Sequence, residues 1–418
     1  MDFFHYKNGK LFCEDKGIAE IAELIGTPFY IYSHATLTHH YRVFSDAFKD
    51  KAKIICYAAK ANSNIAILRV LASLGAGADI VSGGELFRSL EAGIPASKIV
   101  YSGVGKTPTE IEYALQADIL MFNVESLQEL DAINTIAGSM GKVARVAMRV
   151  NPDVDPQTHP KISTGLKENK FGVDIKEAPA YYQRAQQLDN VEIVGISCHI
   201  GSQLTKIAPF VDALKRIKAL MEKLEGWGID IKYLDLGGGL GITYKDEEPP
   251  SPASYAREIL SVIDSSKTTL IFEPGRVLVG NAGVLVTRVL YTKENHGKKF
   301  VVVDAGMNDL IRPSFYESYH KIQPVYVGTG KTVVADVVGP ICETGDYLAR
   351  QREIADVQQG DLLAVMSSGA YGFTMSSNYN SRGRAAEVLV AGKKAHLIRK
   401  REKYQDLIKL ERIPKQIV

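Results

Sequence analysis

The sequence predicts an α/β protein: a (β/α)8 barrel of the TIM type, followed by a C-terminal antiparallel β domain that is barrel-like. Three observations carry this. From Lys53 onward, eight short apolar runs alternate with seven amphipathic helical stretches, the pattern of a parallel sheet buried on both faces. After Gly280 the helical pattern largely stops and short β-rich runs take over. The 418 residues leave room for a barrel of roughly 250 residues and a second domain. An open doubly wound sheet is the alternative that periodicity alone leaves standing.

The elements follow in order. Residues 3–6 and 11–14 flank Lys7-Asn8-Gly9-Lys10, and Asn-Gly favours the tight turn that matches strand twist, so the chain opens on a hairpin. A helix is expected near 18–25, stopped by Gly26 and Pro28. Residues 1–28 are expected to pack with the β domain, 29–280 to form the barrel, and 281–418 to form the β domain. The barrel strands are read at 53–59, 78–81, 99–102, 119–123, 143–150, 192–199, 232–236 and 270–273. Helices lie between them at 64–74, 84–92, 109–116, 126–138, 178–188, 210–225 and 255–265. Ser126, with Glu129 three residues on, makes a good helix start. A long polar insertion, 151–172, follows the fifth strand, where barrels carry active-site loops. Seven β-rich runs fall between 284 and 399, separated by Gly, Pro, Asn and Asp.

Composition narrows the function. Lys plus Arg number 50 and Asp plus Glu 48, a net charge of +2. That balance argues against an electrostatic binder of nucleic acid or membrane surfaces. The four cysteines, at 13, 56, 198 and 342, have neither zinc-site nor redox-motif spacing, so reduced thiols and no metal are expected. There is no signal-like start and no apolar run long enough to span a bilayer, so a cytoplasmic protein is expected.

The unusual residues fall at the C-terminal ends of the barrel strands, where such barrels place function. Lys60 directly follows the first strand; a partly desolvated lysine there could act as a nucleophile, or simply begin a loop. His199 closes the sixth strand and could pack on a planar ligand, move a proton, or merely make a structural hydrogen bond. Gly237-Gly238-Gly239-Leu240-Gly241 follows the seventh strand and can converge backbone N–H groups on an anion. It has neither the dinucleotide spacing nor the Lys-Ser/Thr of a P-loop. Glu273-Pro274-Gly275-Arg276 closes the eighth strand; the arginine could partner the carboxylate or bind a ligand anion. Barrels often build a phosphate site from the loops after strands seven and eight. A phosphate cradle, a reactive lysine and a buried carboxylate in one barrel mouth are what pyridoxal 5'-phosphate requires. In the β domain, Cys342-Glu343, Arg312-Pro313-Ser314-Phe315-Tyr316 and Gly369-Ala370-Tyr371-Gly372 stand out less, each readable alone as an ordinary loop.

Taken together, these segments resemble the fold-type III pyridoxal-phosphate-dependent amino-acid decarboxylases, and among them most closely the diaminopimelate decarboxylases. Tyr57-Ala58-Ala59-Lys60-Ala61-Asn62, Cys198-His199-Ile200-Gly201-Ser202-Gln203, the glycine cluster, Glu273-Pro274-Gly275-Arg276 and Cys342-Glu343-Thr344-Gly345-Asp346 occur in the family's order, across essentially the whole chain. Thr344 stands where the family usually has serine.

The resemblance implies that Lys60 carries the cofactor through an imine and His199 stacks on its ring. Glu273 pairs with the pyridine nitrogen, and Gly239, Ser202 and the backbone of Gly275 and Arg276 hold the phosphate. Arg276, Arg312 and Tyr316 bind substrate carboxylate, Glu343 binds the distal amino group, and Tyr371 contacts cofactor and substrate. Cys342 is the acid that protonates the carbanion, and Asp79 supports the His199 side. It also implies a homodimer in which Cys342 and its neighbours serve the partner's site. The implied reaction is decarboxylation of meso-2,6-diaminopimelate to L-lysine and CO2. Decarboxylation of ornithine, arginine or carboxynorspermidine on the same fold is the alternative. An alanine-type racemase fits less well, because it usually places arginine where Glu273 stands. A non-catalytic pyridoxal-phosphate-binding barrel fits less well too, because it lacks a large second domain. The segment from Thr158 to Gly165 and Lys170-Phe171-Gly172 also look more like the diaminopimelate enzymes.

Overall fold

The computed structural model describes residues 2–155, 170–263, 267–328 and 330–415. Most of the 151–172 insertion, and the whole Thr158-to-Gly165 segment, therefore lie outside the described residues. The chain divides into two compact units, Thr38–Leu278 and a second made of Met1–Leu37 with Val279–Val418.

The first unit is a closed parallel barrel. Its strands are Lys53–Ala58, Gly77–Ile80, Ile99–Tyr101, Met121–Val124, Ala144–Asn151, Val191–Ser197, Tyr233–Asp235 and Thr269–Phe272. Each pairs in parallel with the next, and the eighth returns to the first, with Leu270 opposite Lys53 and Phe272 opposite Ile55. A two-residue strand, Val173–Asp174, adds to the fifth. Helix starts are fixed locally. Asn64, Ser82, Thr107, Ser126 and Ser251 each accept a backbone N–H of the helix they precede, and Thr107 with Glu110 forms a full capping box. Inside, Cys56, Val100, Met121, Ala147, Val194 and Ile271 form an apolar layer. Toward the C-terminal strand ends the buried side chains become polar: Asp79, Ser102, Asn123, Ser197, Asp235 and Glu273. That change of chemistry inside one core marks the mouth.

The second unit is built on a branched sheet around the long strand Gly283–Asn295. Its first half pairs with Phe29–Ser33 on one side and Leu362–Val365 on the other. Its second half pairs with Lys298–Val303. Residues 29–33 were expected to open the barrel, and here the boundary moves. All five are buried, and they lie between Gly283–Asn295 and Ala386–Ala391. A strand covered on both faces has the same continuous apolar signature in either setting. The sheet is mixed rather than purely antiparallel. Phe29–Ser33 runs parallel to Ala386–Ala391, and Lys298–Val303 parallel to Thr332–Val338. The opening hairpin turns on Asn8 and Gly9, both at positive φ. Leu11, Cys13, Ile18 and Ile21 share a core with Val284, Val325, Leu362 and Val388. Among the described residues, no helix is long and apolar enough to cross a membrane.

Candidate active site

The first barrel strand ends in a short turn, Ala59–Ala61, that carries Lys60. Its Nζ lies 2.6 Å from Asp79 Oδ2, at the end of the second strand. The carboxylate is fully buried and the lysine side chain is 37% exposed. Asp79 was expected to support the His199 side; the partner seen for it is Lys60. Both residues end adjacent paired strands, so their side chains meet across the rim.

His199 follows the sixth strand. Burial, then the positive charges of Arg149 and Lys60, hold its pKa well below the usual imidazole range, so the ring is neutral. Its Nδ1 accepts the Gly238 N–H at 3.2 Å, which leaves the ring proton on Nε2. Gly237 makes this possible. It has φ +65°, and a Cβ there would stand 2.7 Å from His199 Nδ1. A flat neutral ring is thus pinned against the turn after the seventh strand.

The loops after strands six and seven are knitted together. Leu204 N–H donates to Gly239 O at 2.9 Å, and Gly241 N–H to Leu204 O at 3.0 Å. Gly239 sits at φ +111°, and a Cβ there would reach within 2.5 Å of Gly201 O. Gln203 bridges to both backbone groups of Ile242. Arg276 Nη2 donates to Ser202 Oγ at 3.0 Å and Nη1 to Tyr244 Oη at 2.7 Å. The sequence offered Arg276 as a partner of Glu273 or as a binder of a ligand anion. The guanidinium reaches Ser202 and Tyr244. Tyr244 carried no motif and was missed. Gly275 lies against Ala58 and Ala61, beside the Lys60 turn.

Glu273 is buried at the end of the eighth strand. Burial first, then the charges of Asp235 and Asp79, push its carboxyl far above the ordinary range, while Lys60 opposes the shift. Asp79, Asp235 and Glu273 are thus three buried carboxyls in one barrel mouth, with Lys60 paired to the first, and Asp79 Oδ1 is buried without a hydrogen-bond partner. An interior so charged suits a further cation. A pyridinium nitrogen supplies one, and a flat neutral imidazole, a glycine-rich turn and a lysine amine suit the rest of pyridoxal phosphate. The donor set fits the cofactor.

The second unit holds the other expected residues. Arg312 is buried at the start of the short helix Arg312–Tyr316, with Nη2 donating to Ser318 Oγ at 3.1 Å. Ser314 Oγ donates to Gly345 O at 2.5 Å, which ties this helix to the Cys342–Glu343 loop. Buried Asp346 fixes that loop by accepting the N–H groups of Met307 and Ile341 at 2.6 and 2.7 Å. Cys342 is exposed, whereas Cys13, Cys56 and Cys198 are buried. The Cys342 N–H donates to Asn380 Oδ1 at 2.7 Å, and Tyr379 Oη lies 3.5 Å from Glu343 Oε2. Tyr371 sits at φ +56°, a region an aromatic residue rarely adopts, and such strain clusters at functional loops. Asn380 and Tyr379 were not singled out from sequence.

A family model for pyridoxal-dependent decarboxylases, pyridoxal binding domain, matches residues 34–280. The diaminopimelate decarboxylase of Aquifex aeolicus is 54% identical over 407 residues, covering 97% of this chain and 96% of that protein. The crystal structure of diaminopimelate decarboxylase from Helicobacter pylori complexed with L-lysine superposes with TM-score 0.91 at 44% identity, covering 94% of this chain and 98% of that one. The M. jannaschii enzyme in co-complex with L-lysine superposes with TM-score 0.95 at 43% identity, covering 100% and 99%.

Proposed function

The chain belongs to the pyridoxal-dependent decarboxylases, and from that premise we propose how its own residues divide the work. The reaction is the decarboxylation of meso-2,6-diaminopimelate to L-lysine and CO2, in lysine biosynthesis, with pyridoxal 5'-phosphate as cofactor. When bound, that cofactor attaches to the substrate amine, and its cationic ring accepts the electron pair left as CO2 departs.

The observation that carries the division of roles is that the barrel mouth holds two kinds of group. Buried carboxyls gather around Glu273. The Arg276 guanidinium, the Ser202 hydroxyl and the glycine-rich turn supply donors. A molecule with a cationic ring nitrogen at one end and a phosphate at the other suits both. Glu273 keeps the ring nitrogen protonated, a stabilisation of charge that develops in the transition state. Gly239, Ser202, Gly275 and Arg276 hold the phosphate. His199, held neutral, covers the ring without competing for its positive charge. Lys60 would hold the cofactor through its amine and serve product release, and Asp79 aims and holds that amine.

In the second unit, Arg312 and Tyr316, with Arg276, take the substrate carboxylate, and Glu343 takes the distal ammonium. Tyr371 contacts cofactor and substrate. Cys342 protonates the α-carbon. The reading extends to a homodimer in which this Cys342–Glu343 loop serves the second copy's site, and to a cytoplasmic enzyme.

Purified protein, loaded with pyridoxal phosphate, is incubated separately with meso-diaminopimelate, ornithine and arginine, and CO2 and amine products are measured. Lysine from the first alone is expected. Putrescine or agmatine from the others at comparable rate would move the chain to another branch of the family.

A further inference from the structure

The barrel interior holds a carboxyl that the roles above leave unused. Asp235 ends the seventh strand and is fully buried. Its Oδ2 accepts from Asn123 Nδ2 at 2.8 Å and from Ser197 Oγ at 3.3 Å, and its Oδ1 from the Gly237 N–H at 2.9 Å. The same Asn123 nitrogen lies 3.4 Å from Glu273 Oε1 and 3.1 Å from Ser102 Oγ. One carboxamide from the fourth strand therefore spans two acids from the seventh and eighth. Asn123 is itself braced. Its backbone carbonyl accepts from Lys106 Nζ at 2.8 Å, and that lysine side chain, 1% exposed, pairs with Glu129 at 2.6 Å.

Two acids this close and this dry cannot both ionise without a cation. Their surroundings supply little relief. Asp79 is itself a carboxylate, engaged with Lys60. The Cys56 and Cys198 thiols face the same acids and are kept neutral, both by burial and by those charges, while Arg149 acts on Cys198. Burial raises Asp235 and Glu273 alike.

We propose that Asp235 is a positioning residue that holds one proton jointly with Glu273 and yields it, through Glu273, to the ring nitrogen of the cofactor. The O–H bond of Glu273 breaks and an N–H bond forms at the pyridine nitrogen. The acids are left as two carboxylates facing one new cation, so net charge is conserved. Asp235 thereby makes Glu273 a stronger base than a lone carboxylate and keeps the ring cationic. The inference rests on the assignment of Glu273 to the ring nitrogen. A residue that only capped the Gly237 turn would make neither contribution.

The test is Asp235→Asn in the full-length protein, apo and loaded. Both acids titrate above their unfolded values. Their contribution to stability is therefore present at low pH and lost as pH rises through the raised values. Wild-type apoprotein should lose melting temperature toward alkaline pH, and Asp235→Asn should lose less and melt higher there. The variant's dissociation constant for pyridoxal phosphate should rise about tenfold, one pKa unit at the ring nitrogen. With 15N-labelled cofactor, the ring resonance should move toward neutral pyridine. A variant that melts lower at every pH, with unchanged affinity and resonance, overturns the proposal. If the variant does not fold, wild-type protein decides. Measured well above pH 7, where Glu85 and Asp309 are ionised, the infrared carbonyl band of a neutral carboxylic acid, shifted by 13C labelling of the protein, should be present in the apoprotein and vanish on loading. Its absence from the apoprotein overturns the proposal too. Wild-type protein that takes up no cofactor would instead sink the Glu273 assignment itself.

Discussion

Lys60 Nζ lies 2.6 Å from Asp79 Oδ2, an ion pair whose carboxylate is wholly buried and whose ammonium is partly exposed. The pair gives one side chain two duties, covalent attachment and charge balance, and substitutions can part them. Lys60→Ala removes both. Breaking a buried pair costs about 3–5 kcal/mol, and the exposure of Lys60 reduces this to about 1–2 kcal/mol. Lys60→Arg restores the charge but cannot form the imine. Both variants should lack the visible cofactor absorbance and turnover, but only Lys60→Ala should melt markedly lower. An alanine variant with wild-type activity would remove Lys60 from the chemistry.

Arg276 binds Ser202 and Tyr244 at once, so its guanidinium is held before any phosphate arrives. A hydrogen bond to a charged group is worth about 1.5–3 kcal/mol. Ser202→Ala, which also removes a proposed phosphate donor, should weaken cofactor binding about tenfold or more by equilibrium dialysis. Tyr244→Phe should weaken it less and leave kcat, at saturating cofactor, nearly unchanged. Equal and large losses of kcat in both variants, with cofactor affinity unchanged, would remove Arg276 from the phosphate and leave it only its role on the substrate carboxylate.

The barrel was legible because seven helices punctuate eight continuous apolar runs, and the residues at the strand ends broke that apolar pattern. The strand Phe29–Ser33 was not, because burial on both faces erases the alternation that separates one sheet from another. The parallel pairings of the second unit were hidden for a related reason. They join residues separated by hundreds of positions or by intervening strands, and pattern reports only neighbours. Within the site, Lys60, His199 and Glu273 announced themselves as polar residues closing apolar strands. Asp235 and Asn123 are likewise polar residues in apolar strands, but Asp235 is followed by a glycine cluster that carries the stronger motif and Asn123 opens onto none. Tyr244 lies in a polar segment with no motif, and only the fold brings it to Arg276.

Two groups at the mouth should give opposite pH signatures. Burial pushes the Glu85 carboxyl up to about 7, against the Val81 N–H, Lys60 and Arg88, with Asp79 adding to the rise. Its stability contribution is present below its unfolded pKa and lost as pH climbs through about 7. His199 is depressed, so its contribution is present above the unfolded value and lost as pH falls below it. In apoprotein melts, Glu85→Gln should flatten the loss on the neutral-to-alkaline side, and His199→Gln the loss on the acid side. The reverse assignment, or no change in either limb, would contradict the burial argument.

Asn380 occupies the left-handed region at φ +54° while its side chain accepts the Cys342 N–H. Asparagine tolerates that backbone better than most residues. Asn380→Ala should release the Cys342 loop at a cost of about 1 kcal/mol, lower kcat more than it raises KM, and change the alkylation rate of the one exposed thiol. Asn380→Asp keeps the acceptor and should restore both. Unchanged alkylation in Asn380→Ala would show that this bond does not place Cys342.

The dimer proposal has a test that needs no structure of the assembly. Lys60 and Cys342 lie on different units of the chain, and each is assigned a step the other cannot perform. If a site takes Lys60 from one copy and Cys342 from the other, Lys60→Ala and Cys342→Ala homodimers are each impaired at both sites. Unfolding and refolding the two together yields mixed dimers in which one site has both mutations and the other has neither. Random pairing of equal amounts makes half the dimers mixed, so activity should return to about a quarter of wild type. If both residues of a site come from the same copy, every mixed dimer still has two impaired sites and no activity returns. Sedimentation of the mixture must show dimers in either case, which separates a failed exchange from a failed proposal.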